Sequence, residues 1–238
     1  MRRLLSFAAA ALVIGLFTAP DASAQQSFNL FLGGFTPNSM DARGTDDVLF
    51  QNSAFLSTLN RDSGIDIGRF NGVTVGGEYL VGLTPNIEGG LGIGFYQRTV
   101  PTVYTDFVNQ TNGAEIFQDL KLRVVPFSAT VRFLPLGHDN PVQPYVGAGV
   151  GVFAWRYSET GQFVDSSRII FTDTFVGSGS EVGPLVLGGL RIGMGAMGVG
   201  GEVRWQHAKA DLPASENFAG PKIDLGGFNY LFTVNLRF

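Results

Sequence analysis

The chain has 238 residues, no cysteine and a formal net charge of −4, with 33 glycines and 21 phenylalanines. The lack of thiols excludes disulfides, thiolate metal sites and a lipid-modified N-terminal cysteine, and the slight acidity excludes a basic patch suited to nucleic acid. Glycine stands at about twice its usual frequency, and no apolar run after residue 24 reaches the length of a membrane helix, so the apolar content has to be housed in strands.

The first residues read as an export signal. Met1-Arg2-Arg3 is a basic start, Leu4 to Phe17 is almost wholly apolar, and Ala22-Ser23-Ala24 is a small-x-small cleavage pattern. The apolar run is too short to span a bilayer. The sequence therefore predicts a signal peptide over 1–24 and one domain over 25–238, beginning at Gln25. Without Arg2, Arg3 and Asp21 that domain carries 14 basic and 19 acidic residues, a formal charge of −5.

Period-two alternation then recurs along the chain, predicting eight strands. The first covers Ser27–Phe35. In the second, Val73, Val75, Gly77, Tyr79 and Val81 share one face, with Thr74, Gly76, Glu78 and Leu80 on the other. After the turn Thr84-Pro85-Asn86, Ile87, Gly89, Leu91, Ile93 and Phe95 face one way. The fourth strand is expected over Leu120–Leu134, where Pro126 and a slip in alternation at Val124-Val125 suggest a bulge. The fifth covers Tyr145–Arg156, the sixth Val182–Gly193 and the seventh Val199–His207. The last, Leu225–Phe238, sets Phe228, Tyr230, Phe232, Val234, Leu236 and Phe238 on one unbroken apolar face.

The connections alternate in length: 36–69, 99–118, 157–178 and 208–224 are long, while 84–86, 135–141 and 194–198 are short. An even number of strands with long links at one end and short turns at the other predicts an all-β fold, an eight-stranded antiparallel up-and-down transmembrane β-barrel. A soluble barrel would turn its apolar faces inward. Here the non-apolar faces are glycine-rich with scattered Glu and Arg, which suits a narrow lumen better than a water-exposed surface. Aromatic residues near strand ends (Tyr79, Phe95, Phe133, Trp205, Phe228, Tyr230 and Phe238) suit two interfacial girdles. Closure also pairs every strand edge, as lipid requires.

Two stretches carry a family resemblance. Tyr230-Leu231-Phe232-Thr233-Val234-Asn235-Leu236-Arg237-Phe238 resembles the C-terminal assembly signal of outer-membrane barrels. Pro144-Tyr145-Val146-Gly147-Ala148-Gly149-Val150-Gly151-Val152 is similar to a segment of small porin-like and opacity-type barrels. That family includes outer membrane proteins X and W and the transmembrane domain of outer membrane protein A. The resemblance implies insertion by the barrel-assembly machinery, with Tyr230, Phe232, Val234, Leu236 and Phe238 as the signal. It also implies an outer-membrane location among lipid and lipopolysaccharide, both termini in the periplasm and a monomeric state.

Eight strands enclose a lumen that side chains fill. The phase of the alternation places Glu78, Glu88, Arg132, Arg191, Glu202, Arg204 and Arg237 inside, all near the short turns or the C-terminus. Isolated buried charges are costly and arginine pairs well with carboxylate, so these residues are expected to form an ion-pair plug. It would be either a structural fill or a gate. His138, beside Asp139 and Asn140, reads as turn chemistry, and His207 as a rim residue with no serine nearby in sequence. No cofactor or metal is expected. The first long link, with Asp41, Asp46, Asp47, Asp62, Asp66, Arg43 and Arg61, reads by default as a solvated acidic loop, with binding of divalent cations or of a partner surface as the alternative. Its Val48-Leu49-Phe50 and Ala54-Phe55-Leu56 could form a short helix or an extension of the strands above the membrane. The function these features predict is a non-enzymatic envelope or surface barrel. The alternatives are a conduit for small hydrophobic solutes, supported by Phe153, Trp155, Leu80 and Leu187 on inner faces, and a lipid-modifying enzyme.

Overall fold

A computed structural model describes residues 26–59, 63–165 and 167–238; the expected signal peptide, Gln25, and Arg61 and Asp62 of the first loop lie outside them. Eight strands make up the wall: β1 (Gln26–Pro37), β2 (Gly72–Thr84), β3 (Ile87–Val108), β4 (Glu115–Phe133), β5 (Val142–Val164), β6 (Ile170–Met194), β7 (Met197–Gln206) and β8 (Gly227–Arg237). Each is antiparallel to its sequence neighbours. The ring closes between β1 and β8, where Ser27 lies opposite Arg237 and Pro37 opposite Gly227. No strand edge is left open in the lower wall, as crossing hydrocarbon requires.

The lower wall is apolar on the outside. Leu91, Ile93, Val150 and Phe232 are 48–56 % exposed, far more than large apolar side chains of a water-facing barrel would be. The opposing inner positions are Glu78, Glu88, Arg132, Thr130, Glu202 and Asn235, all buried. Phe95, Trp205 and Phe228 lie towards the long-loop end of this belt, and Tyr79, Phe133 and Phe238 towards the short turns. The chain is a transmembrane β-barrel whose lower interior carries buried polar and charged side chains. A charge placed in mid-belt is therefore expected to be poorly tolerated: Val150→Arg should cost about 2–4 kcal/mol, read as a lowered urea midpoint for the barrel folded in lipid vesicles.

Four strands run far beyond the lipid. A membrane crossing takes about 9–11 residues, yet β3, β4, β5 and β6 have 22, 19, 23 and 25. Residues 99–108, 115–118, 157–164 and 170–178, which the sequence assigned to long links, are strand. The reason is a reversal of face chemistry. Above Tyr96 on β3, many inward positions become apolar and buried (Val100, Leu120, Leu122, Val124, Tyr157), beside the buried polar Thr102, Gln118 and Glu159, while Gln97, Thr99, Lys121, Arg123 and Arg156 face out, exposed. This upper part is built like a soluble barrel.

The same reversal replaces the bulge expected at Val124-Val125. The register of β4 against both neighbours is unbroken through this point. Val124 turns inward because the upper interior is apolar, and Val125 keeps the outward phase. Pro126, with no N–H to give, only interrupts the ladder facing β3.

Nor is the first loop (38–71) a solvated acidic segment. It forms a short helix, α1 (Val48–Asn52), and a short strand, Leu56–Thr58, paired with Thr102–Tyr104 of β3. Val48, Leu49, Leu56 and Phe70 of this loop are fully buried together with Ala210 and Ile223 of the last loop (207–226) and with the upper wall. The two loops cap the barrel mouth. The remaining connections at this end, 109–114 and 165–169, are only tight tips.

Candidate functional site

The lumen holds two stacked layers, ionic below and apolar above. Glu78 comes from β2, Glu88 from β3, Arg132 from β4, Arg191 from β6, and Glu202 and Arg204 from β7. Their strands place all six side chains inward at the height of the short turns. Four of them form a closed square. Arg132 Nη2 lies 2.5 Å from Glu78 Oε2 and 3.1 Å from Glu202 Oε2. Arg204 Nη2 lies 2.9 Å from Glu78 Oε1 and 2.6 Å from Glu202 Oε1. Each carboxylate thus bridges two guanidiniums, which spreads charge evenly across the lumen.

Nearer the turns, Arg191 grips Glu88 with two hydrogen bonds of 3.0 and 3.1 Å. Arg132 Nη1, at 3.9 Å from Glu88 Oε1, links this pair to the square. Three carboxylates and three guanidiniums balance. Arg237 stands apart from the carboxylates and is only half-buried, donating to Gln143 Oε1 at 2.8 Å.

Several partners carried no clear sequence signal. Tyr145 donates to Glu202 Oε2 at 3.1 Å, and its ring lies under the guanidiniums of Arg132 and Arg191 at 5.0 and 5.6 Å, a cation–π arrangement. Asn29 donates to Glu78 at 3.4 Å. Gln143 closes the bottom by donating to the carbonyls of His138 and Asn140. Tyr145 and Gln143 share the phase of Gly147 and Gly149, the one clue that could have placed them inside.

Glycine makes room for this layer. A Cβ on Gly92 would stand 2.6 Å from Glu78 Cγ, and one on Gly189 would stand 2.5 Å from the Tyr145 hydroxyl. Above the square, a cavity lined by Phe31, Thr74, Phe153, Arg204 and Asn229 measures about 20 Å³, room for one water molecule. Phe153, Trp155, Leu80 and Leu187 are inside, as expected, and are buried in packed surroundings. His207 stacks on Trp205, and His138 Nε2 lies 3.1 Å from the Thr84 carbonyl.

The apolar layer is fastened by polar anchors. Asp47, buried at the start of α1, accepts from Leu49 N and Phe50 N, pairs with Arg43 at 2.9 Å and accepts from Asp224 N of the last loop at 2.7 Å. Glu159 on the upper wall accepts from Asn52 at 2.6 Å and from the Tyr157 hydroxyl at 2.9 Å. Burial pushes the Glu159 carboxyl above its ordinary value, while those two hydrogen bonds pull it down. The docked cap therefore favours the protonated acid. Its stability is full below the ordinary value of 4.5 and falls as pH rises through the raised one. Hydrogen-exchange protection of α1 should decline accordingly with pH, and Glu159→Gln should flatten that decline.

No family model and no curated protein matches this sequence. Among solved structures, the chain is similar to neisserial surface protein A, with 11% identity over 90% of this chain and 97% of that one, at a TM-score of 0.46. It is similar to the N-terminal β-barrel domain of Pseudomonas aeruginosa OprF, with 12% identity over 91% and 100% of the two chains and a TM-score of 0.40. A third is Ail, the attachment invasion locus protein of Yersinia pestis, with 10% identity over 90% and 99% and a TM-score of 0.38. The assignment of the fold rests on the closed ring of paired strands and its apolar outer belt.

Proposed function

We propose that this chain is a sealed, non-enzymatic barrel of the bacterial outer membrane, serving envelope integrity or surface interaction. In this reading it is exported by its signal peptide and inserted by the assembly machinery through Tyr230, Phe232, Val234, Leu236 and Phe238. Both termini and the short turns lie in the periplasm, and the capped end faces outward among lipopolysaccharide.

The observation that carries the reading is the double obstruction of the lumen. The square of Glu78, Arg132, Glu202 and Arg204 crosses the lower half, and the packed first and last loops fill the mouth. In this reading the ionic layer is a plug that satisfies the interior. A path for hydrophobic solutes would have to cross both layers. Planar-bilayer recording tests the proposal: the protein should insert without steps of conductance. A steady open channel in the wild-type protein would overturn it.

A further inference from the structure

Two arginines stand side by side on the outer wall where the apolar belt ends. Arg123 of β4 and Arg156 of β5 are directly opposed across the strand pair, and both are exposed. One outward position higher, exposed Lys121 lies opposite Ser158 and Thr99. Two outward positions below Arg123 comes Phe127, and two below Arg156 comes Val152, both turned to lipid and 48% and 41% exposed. The cations thus stand at the height where headgroups begin.

Their placement is costly as it stands. Like charges directly opposite on an antiparallel pair destabilise it. Their lateral neighbours are the uncharged Gln97 and Ser178. Among the described residues, no ion pair engages Arg123, Arg156 or Lys121. Asp119, the next outward residue on β4, lies beyond Lys121, on the side away from the belt.

We propose that Arg123, Arg156 and Lys121 form a binding site for the phosphate groups of lipid headgroups. Facing Cβ atoms about 5 Å apart let two guanidinium forks close on one phosphate, each through two parallel hydrogen bonds. The ammonium of Lys121 adds a point charge from above. A bound phosphate turns the repulsion between the arginines into a shared attraction, while their aliphatic stems cover the top of the apolar belt. In the orientation proposed above, on which this partner rests, the lipid is the phosphorylated glycolipid of the outer leaflet.

The test uses the folded barrel in phosphatidylcholine nanodiscs, with or without bisphosphorylated lipid A, and reads the temperature at which compact gel mobility is lost. Lipid A should raise that temperature by about 5 °C in the wild-type protein. Arg123→Gln with Arg156→Gln should lose most of the rise, and Arg168→Gln, in the remote tip 165–169, should keep it. Dephosphorylated lipid A and free inorganic phosphate should leave the wild type unshifted. An equal rise in the double variant, or with the dephosphorylated lipid, would overturn the site. Failure to form a compact barrel in phosphatidylcholine alone would instead overturn the membrane reading. Surface labelling of intact cells at Ser167→Cys tests orientation separately, because both faces of a nanodisc offer the lipid.

Discussion

Replacing Arg132 with methionine is expected to lower the unfolding free energy by about 3–5 kcal/mol, the largest loss for any single lumen residue. Arg132 is completely buried, and its one Nη2 group serves both Glu78 and Glu202. Without it, three carboxylates face two guanidiniums in a space without solvent, and the surplus negative charge has nowhere to go. The second change that isolates the cause is Glu202→Gln in the same chain. Glu78 would then pair with Arg204 and Glu88 with Arg191, so the double variant should recover more than half of the loss. Urea unfolding in lipid vesicles, followed by tryptophan fluorescence, gives both values. If the double variant were as unstable as the single, packing around Arg132 and Tyr145 would be the dominant contribution and charge balance would not.

The second large effect lies in the cap. Asp47→Ala removes an N-cap, a buried ion pair and the bond to Asp224 at once, and leaves Arg43 buried at 6% exposure with its charge uncompensated. A local loss of about 3 kcal/mol is expected, confined to the loops because the wall below is hydrogen-bonded independently. Trypsin should then cut after Arg43 or Arg69 about 100-fold faster, while the strands stay intact. Asp47→Asn keeps a capping oxygen but loses the ion pair, and should fall between the two. Equal cleavage rates in the wild type and Asp47→Ala would mean that the loops are held by their apolar contacts alone.

The lower barrel was legible in the sequence because one rule, apolar outside with glycine and charge inside, holds there apart from a few large inward residues such as Leu80, Tyr145 and Leu187. Glu78, Glu88, Arg132, Arg191, Glu202 and Arg204 could be placed inside from phase alone. Above the lipid the rule reverses, and the same criterion loses the strands. In Thr99-Val100-Pro101-Thr102 the inward pair is Val100 and Thr102 and the outward pair Thr99 and Pro101, so polarity no longer marks the face. The slip at Val124-Val125 is where the two patterns meet. The cap was hidden for a different reason. An aspartate that starts a buried helix and one that solvates a loop look alike in sequence, and only the partners Arg43, Leu49 N and Asp224 N, the last 177 residues away, separate Asp47 from Asp41. Tyr145 was missed because an aromatic residue at a strand end suits an interfacial girdle as readily as a lumen.

The seam between β1 and β8 bears on how the protein is made. Residue 27 lies opposite residue 237, so the cylinder stays an open sheet, with a raw edge on either side, until the last strand pairs with the first. Contacts of such long sequence separation form slowly, and unpaired edges in water invite aggregation. Closure of the ring therefore depends on keeping both edges from pairing elsewhere until β1 and β8 meet.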